Sequence, residues 1–143
     1  MVQFMVVSIS RFINEPSGER HRRLFYWRGE VAKEWAKAFY KTARWLSKRS
    51  KILRRDEYMC QQCKRYGKTT PATTVHHIIP LMWCLLFNKA LALAGINLTS
   101  LCEECHNKMH DRLTNRLTAL GLEWVKRMGE AGLKWIKEYA GQW

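Results

Sequence analysis

Apolar side chains recur at helical spacing through the second quarter of the chain. Between Val31 and Arg55, valine, tryptophan, phenylalanine and leucine fall four or seven positions apart, with lysine and arginine on the other faces. The pattern predicts an amphipathic helix, which Thr42 or the stretch 47–50 divides into two. We expect its apolar side to pack on a core, while its polar side is dense in positive charge.

Alternating and β-branched segments predict short strands. Residues 3–9 alternate weakly, and residues 73–79 are rich in threonine, valine and isoleucine. A short helix over 85–94, closed by Gly95, and a second strand over 97–101 are expected next. The next predicted helix begins near the second of two cysteine pairs, with two acidic residues in its first turn.

The last third of the chain repeats apolar residues with a helical period from Leu113 to Trp143, although three glycines interrupt it. Each glycine weakens a helix by about 1 kcal/mol relative to alanine, so we expect a helix with bends or breaks. It either packs onto the core or docks a partner through its tryptophans. The chain thus divides into an N-terminal extension (1–30), a domain with a basic leading helix (31–113) and an amphipathic tail (114–143).

Positive charge is concentrated in one part of the chain. The 143 residues carry a net charge of +13 at pH 7, and residues 20–68 hold sixteen Lys and Arg against four Asp and Glu. This favours a polyanionic partner, nucleic acid before a membrane surface. The longest apolar span, 78–96, is interrupted by Pro80, so we interpret it as folded interior and not as a membrane helix. No secretory signal is evident, and the cytoplasm is the expected compartment.

Four of the five cysteines form two pairs with the spacing Cys-x-x-Cys. Cys60 and Cys63 make the first pair, and Cys102 and Cys105 make the second. Four thiolates satisfy tetrahedral Zn²⁺, and each pair can supply two of them from one turn. We therefore predict a structural zinc site, in preference to ordinary buried cysteines. Cys84 has no such pair and is interpreted as a small buried hydrophobe.

The histidines suggest a second site. A spacing of four places His106 and His110 on one helix face, where they can share an ion; otherwise they are zinc ligands or surface groups. His76 and His77 are neighbours on a predicted strand, so their side chains point to opposite sides. One can bind a metal while the other acts as a general base, or both are satisfied within the strand. His21 matches no motif and is interpreted as a surface residue.

These motifs together resemble a known family. Val-His-His-Ile-Ile-Pro at 75–80, then Asn-Leu-x-x-Leu-Cys-x-x-Cys-His-x-x-x-His at 97–110, is similar to the HNH endonucleases of the ββα-metal fold. The preceding cysteine pair makes the small zinc-containing HNH proteins of bacteriophages the nearest resemblance, over about residues 38–112. The resemblance implies an α+β domain with a small ββα-metal core, a four-cysteine structural zinc site and flanking helices.

The resemblance also implies roles by position. His77 matches the general base, and Asn97 matches the central asparagine, which either holds the loop near the base or touches the metal. His76, His106 and His110 match the ligands of a catalytic divalent cation, and the double histidine resembles that of the colicin nucleases. On ligand softness, three imidazoles would suit Mn²⁺, Ni²⁺, Co²⁺ or Zn²⁺ better than Mg²⁺.

The implied activity is metal-dependent hydrolysis of DNA phosphodiester bonds, leaving 3′-hydroxyl and 5′-phosphate ends. A bacteriophage protein of this type implies a function in DNA packaging, the phage terminase as a partner and the cytoplasm of a bacterial host. The alternative is a non-catalytic zinc module that binds DNA or assists a terminase. The basic residues expected to contact the DNA backbone are Arg44, Lys48, Lys51, Arg54, Arg55, Lys108 and Arg112.

Overall fold

The computed structural model of the protein describes residues 30–143. The chain falls into two compact units, Met1–Phe39 and Tyr40–Trp143, and every candidate site residue belongs to the second. The strand expected over residues 3–9 lies outside the described residues, and so does His21, interpreted from the sequence as a surface residue. Within the described part of the chain, no helix is long and apolar enough to cross a membrane.

The predicted basic helix is divided in two at Thr42. Helix α1 comprises Glu30–Tyr40 and helix α2 comprises Ala43–Arg55. The backbone of Thr42 is extended, and its hydroxyl accepts a hydrogen bond from the Trp45 amide at 3.2 Å. This is an N-cap, which satisfies one of the free amides of the first turn. The chain therefore breaks at one of the two predicted positions.

A single helical turn and a small sheet follow. The turn, α3, comprises Gln61–Lys64, and the antiparallel strands are β1 (Thr74–His77) and β2 (Leu98–Leu101). The register pairs Thr74 with Leu101, Val75 with Ser100, His76 with Thr99 and His77 with Leu98. Seven of these eight residues are buried, because both faces of the sheet are covered. The predicted α+β class is confirmed.

The connection between the strands differs from the prediction. Helix α4 comprises Leu81–Phe87, and it begins four residues before the expected start; Asn88 is its C-cap. Two 3-10 turns, Lys89–Leu93 and Gly95–Asn97, complete the connection. Pro80 precedes the helix because the missing amide of a proline is not needed there and its φ of −51° suits a helix start. The uniformly apolar sequence of α4 contains no periodicity that could locate this start.

The helix at the second cysteine pair is shorter than predicted. Helix α5 comprises Glu103–Asn107, with Cys102 at its N-cap and both acidic residues in its first turn. His110 lies beyond the helix, in an isolated bridge with Leu117. The expectation that His106 and His110 share one helix face is therefore wrong, although their rings still converge.

A turn built on Asp111 explains this short helix. The Asp111 carboxylate accepts hydrogen bonds from the amides of Leu113 and Thr114 at 3.0 and 2.8 Å. Such local bonds compete with helix continuation. The Thr118 hydroxyl then donates to the Lys108 carbonyl at 2.7 Å, which satisfies a carbonyl near the helix end.

The C-terminal tail forms two helices, α6 (Ala119–Lys126) and α7 (Glu130–Tyr139). Gly129 separates them with a φ of +74°, a conformation that glycine adopts without strain. Gly132 lets the helices touch, because a Cβ at this position would lie 1.8 Å from the Val125 carbonyl oxygen. Bends or breaks were predicted from the glycines. Gly129 gives a break between the two helices, and Gly132 allows them to pack closely.

The tail tryptophans are buried. Trp124, Trp135 and Trp143 are 8%, 3% and 6% exposed. The Trp124 indole donates a hydrogen bond to the Gln62 side-chain oxygen at 2.8 Å, which joins α6 to α3. Of the two interpretations of the tail, the structure shows packing onto the compact unit that carries the cysteines.

Candidate functional site

The four paired cysteines meet at one point. All four Sγ atoms lie within 4.8 Å of one another, and Cys63 lies 3.9 Å from Cys102 and 3.6 Å from Cys105. With Zn–S bonds of about 2.3 Å, tetrahedral zinc separates its sulfurs by about 3.8 Å. Among residues 30–143, this is the one group of three or more metal-binding side chains whose ligand atoms are this close. The cysteines are positioned to bind a metal.

Two short helices position these thiols. Cys60 precedes α3 and accepts a hydrogen bond from the Cys63 amide at 3.5 Å, and Cys102 precedes α5, which carries Cys105. Burial raises the pKa of the Cys60 and Cys105 thiols. Because a metal ligand must be a thiolate, a cation is the group that makes four thiolates compatible at such short separations.

Three imidazoles gather on one side of β1. The His76 ring lies 5.3 Å from each of the rings of His106 and His110, which are 6.5 Å apart. His76 Nε2 and His110 Nδ1 are buried and have no hydrogen-bond partner among residues 30–143. Buried polar atoms normally have one, so an ion is a fitting partner here. Among the described residues these three histidines do not form a group close enough to hold one ion, so the rings must move closer to share it.

Burial keeps these imidazoles neutral. It places the pKa of His76 well below its usual value, and the neighbouring His110 and His106 lower it further. Burial also lowers the pKa of His106 and of His110, in the second case against a hydrogen bond with the Asn115 backbone that raises it. Neutral imidazole is the form that binds metal ions. At neutral pH this cluster is therefore suited to a cation.

His77 lies on the other side of β1, in an aromatic pocket. Its ring stacks on Trp45 with centroids 5.0 Å apart, and the Tyr40 ring is 6.1 Å away. Its Nε2 is 2.9 Å from the carbonyl oxygen of Ala92. A carbonyl only accepts, so in the neutral ring Nε2 donates and Nδ1 carries the lone pair. His77 is 5% exposed, and burial lowers its pKa to about 4, against the Ala92 bond, which raises it.

Asn97 ties together the loop around His77. Its side chain is fully buried, and its Oδ1 accepts a hydrogen bond from the Ile79 amide at 2.6 Å. Its Nδ2 donates to the carbonyls of Ile79 and Leu91 at 3.2 and 3.3 Å. Leu91 immediately precedes Ala92, which contacts the imidazole. Asn97 thus fixes the end of β1 to the segment that orients His77.

Three basic side chains of α2 line an open groove. Arg44, Lys48 and Lys51 surround about 480 Å³ together with Leu93, the residue after Ala92. None of the three forms an ion pair with another residue of the described part of the chain. Their charges therefore face a groove that adjoins the segment contacting His77.

Arg55 has a different environment. Its Nε and Nη2 donate to the two carboxylate oxygens of Asp56 at 2.7 and 2.9 Å, and it also donates to the carbonyls of Gly95 and Leu98 at 2.8 Å each. Asp56 additionally accepts a hydrogen bond from the Ser100 amide at 2.9 Å. Because these contacts join α2 to the start of β2, we leave Arg55 out of the phosphate contacts expected from the sequence.

The remaining basic candidates are at the surface. Lys108 pairs with Glu104 at 2.6 Å, and both side chains are mostly exposed. An exposed pair of this kind is weak, so a phosphate can replace the carboxylate. Arg54 and Arg112 are exposed as well.

Sequence reasoning did not identify Trp45, Ala92 or Asp56 as neighbours of the site. An acidic residue directly after a run of basic ones was the available signal for Asp56, because a buried acid requires a partner. The Ala92 contact uses a backbone carbonyl, which every residue has, so no side-chain pattern could reveal it.

The part of the chain that carries these residues is similar to known proteins. The profile of the HNH endonuclease family matches residues 60–112, which contain both cysteine pairs and four of the five histidines. A probable HNH endonuclease of Lactococcus phage SK1 is 36% identical over 70 residues, which cover 49% of this chain and 72% of that protein. The HNH endonuclease of deep-sea thermophilic bacteriophage GVE2, crystallised with a manganese ion, is 35% identical, with a TM-score of 0.47 over 66% of this chain and 88% of that one. The chain belongs to the HNH endonuclease family and is a DNA-cleaving enzyme.

Proposed function

We propose that this protein hydrolyses DNA phosphodiester bonds with a divalent cation at His76, His106 and His110, and with His77 as general base. One observation carries the proposal: neighbouring histidines of β1 serve two different pockets. His76 lies beside the neutral imidazoles of His106 and His110, and His77 forms an oriented hydrogen bond with the Ala92 carbonyl.

The donor set supports the cation. Two buried ring nitrogens lack partners among residues 30–143, and the three imidazoles are held neutral. When bound, the ion supplies positive charge that stabilises the phosphate and the leaving 3′ oxygen. Imidazole ligands favour Mn²⁺, Ni²⁺, Co²⁺ or Zn²⁺ over Mg²⁺. Zn²⁺ is the ion we assign to the four cysteines, because four thiolates at these separations suit its tetrahedral preference.

The surroundings of His77 support its assignment as the base. The Ala92 carbonyl selects the tautomer, and stacking on Trp45 limits rotation of the ring. The nitrogen that does not face Ala92 takes a proton from water while the water oxygen bonds to phosphorus and the bond to the 3′ oxygen breaks. Because His77 is 5% exposed, a local movement of the residues around its ring is required for that water to enter.

The DNA backbone has a matching surface. Arg44, Lys48 and Lys51 line the groove beside Leu93, so phosphates held there lie next to the segment that contacts His77. We assign Arg54, Lys108 and Arg112 to the same set because they are exposed and basic. Such contacts position the duplex and carry no sequence information themselves.

The decisive experiment replaces His77 with glutamine. His77→Gln keeps an N–H donor for Ala92 but cannot take a proton from water. Plasmid cleavage should fall by about 10²–10⁴-fold with each divalent metal, the usual contribution of a general base. Zinc content and DNA affinity should stay unchanged. Cleavage at the wild-type rate would leave His77 as a packing residue against Trp45 and refute its assignment as the base.

The phage relatives support a proposal for the biological setting. We infer that the enzyme acts during packaging of phage DNA, with the terminase as its partner, in the cytoplasm of the bacterial host. The phage origin of the SK1 relative supports this. Cleavage of concatemeric DNA should change when the terminase is added, and the two proteins should co-purify. If neither occurs, packaging is not its function. A chain that binds DNA and terminase without cutting would instead be an accessory module.

A further inference from the structure

A second cleft, of about 340 Å³, lies between β2, α3 and α6 and is lined by none of the three clustered histidines or His77. Its wall holds three arginines, Arg55, Arg65 and Arg127, together with Trp124 and Thr99. The cleft is therefore basic, and none of the residues proposed to act in catalysis lines it.

Two of these arginines are held by one indole. The guanidinium carbons of Arg65 and Arg127 lie 5.9 and 5.6 Å from the Trp124 ring centroid. Both distances are within the range of cation–π attraction. Gln62 anchors the indole with a hydrogen bond of 2.8 Å and also accepts one from Arg65 at 3.4 Å. The two guanidinium groups are thus held in place before any ligand arrives.

The charge of this pair is not compensated nearby. Neither Arg65 nor Arg127 forms an ion pair with another residue in the described range 30–143. The acidic residue on the wall, Asp56, is already matched by Arg55 and by the Ser100 amide. The cleft therefore presents two positive charges to an outside ligand.

We propose that Arg65 and Arg127 form a phosphate-binding site for a DNA backbone phosphate other than the one being cleaved. The planar guanidinium group donates two parallel hydrogen bonds to phosphate oxygens. Trp124 is 8% exposed and has both guanidinium groups beside its ring, so it cannot also stack on a base. The site therefore contacts the backbone in any sequence. This proposal rests on the DNA substrate of the proposed function.

The test measures the salt dependence of binding to a duplex without added divalent cation. The double variant Arg65→Gln/Arg127→Gln should lower the slope of log affinity against log salt by about 0.9 for each phosphate that the protein no longer neutralises. In cleavage assays its KM should rise while kcat stays unchanged. The lysine variant Arg65→Lys/Arg127→Lys should restore most of the slope. Zinc content and circular dichroism check that each variant folds.

The matched control removes the same charge elsewhere. Lys134→Gln/Lys137→Gln changes two exposed lysines of α7 and should leave the slope unchanged. An unchanged slope in the arginine variant, or an equal decrease in the lysine control, would overturn the proposal. The proposal would also be overturned if inorganic pyrophosphate bound to the cleft while the arginine variant kept the wild-type slope. The ligand of the cleft would then be a free phosphate and not the DNA backbone. If the wild type itself does not cut DNA, the proposed function fails instead, so the two failures are distinct.

Discussion

Asn97 and Ile79 are joined by hydrogen bonds in both directions. The Ile79 amide donates to Asn97 Oδ1 at 2.6 Å, and Asn97 Nδ2 donates to the Ile79 carbonyl at 3.2 Å. The preceding amide, of Ile78, donates to the Asn97 backbone carbonyl at 2.9 Å. A side chain thus continues the ladder of β1 and β2 beyond the last backbone pair and fixes the end of the sheet beside His77.

Removing this side chain should destabilise the protein and reduce its activity together. Asn97→Ala leaves the buried amide and carbonyl of Ile79 without these partners, which costs about 1–3 kcal/mol for each such group. Urea unfolding of the zinc-loaded protein should show the decrease in stability, and cleavage should fall because Leu91 is also released. Asn88→Ala, at an exposed amide of the same connection, should change stability by about 0.5 kcal/mol or less. Equal stability of both variants would contradict the assigned role.

Replacing each of the neighbouring acids Asp56 and Glu57 with its amide should have different effects on stability. Asp56→Asn removes the buried charge that binds Arg55 and the Ser100 amide, and hydrogen bonds to charged groups contribute about 1.5–3 kcal/mol. Glu57→Gln affects only an exposed pair with Lys64 at 3.3 Å and should be nearly neutral. Urea midpoints of the two variants give the comparison. A neutral Asp56→Asn would mean that the anchor between α2 and β2 is dispensable.

Two glycines of the tail provide a packing test. Gly132→Ala would place a Cβ 1.8 Å from the Val125 carbonyl oxygen, so α6 and α7 must separate. We expect a decrease in stability of about 1–3 kcal/mol, typical of overpacking. Gly141→Ala meets nothing within 4 Å and should melt at the wild-type temperature. Thermal unfolding of both variants tests the close crossing, which would be disproved if they melted together.

Acid should weaken the fold partly through His77. Its pKa is about 4 in the folded protein and about 6.5 when unfolded, so between these values only the unfolded chain binds the proton. Stability from this residue is full above pH 6.5 and is lost as pH falls toward 4, by about 3 kcal/mol in total.

His77→Gln cannot titrate and isolates this effect. Loss of zinc in acid affects both proteins, so the difference between their unfolding free energies reports His77 alone. As pH falls from 7.5 to 4.5, the unfolding free energy of the wild type should fall more than that of the variant. Parallel curves would show that the buried environment of His77 does not persist in solution.

Zinc content should separate the two groups of metal-binding residues. Cys63→Ser should lose tightly bound zinc, because it removes a thiolate from a cluster with all sulfurs within 4.8 Å. Cys84→Ser and His106→Ala should keep it, since neither residue belongs to that cluster. A dye that reports released zinc gives the measurement. Retention of zinc by Cys63→Ser would show that another residue completes the site.

Features with a local signal could be predicted from the sequence. The cysteine spacing predicted a cluster, the β-branched run predicted β1 to within two residues of its observed end, and Thr42 predicted a helix break. The length of α5 depends on an Asp111 turn that no periodicity reveals. The anchor of Arg55 involves carbonyls 40 and 43 residues away, so its contacts are fixed by the fold and not by neighbouring sequence.

The order of these elements along the chain also sets when the enzyme can first act. His76 and His77 are synthesised before Cys102, Cys105, His106 and His110, on which the cysteine cluster and the imidazole cluster depend. Translation adds about 5–20 residues per second, so the interval from His77 to His110 lasts roughly 2–7 s. Throughout that interval the emerging polypeptide lacks part of each cluster. On the proposed assignment of the imidazoles, an emerging polypeptide that ends before His110 is therefore expected not to cut DNA.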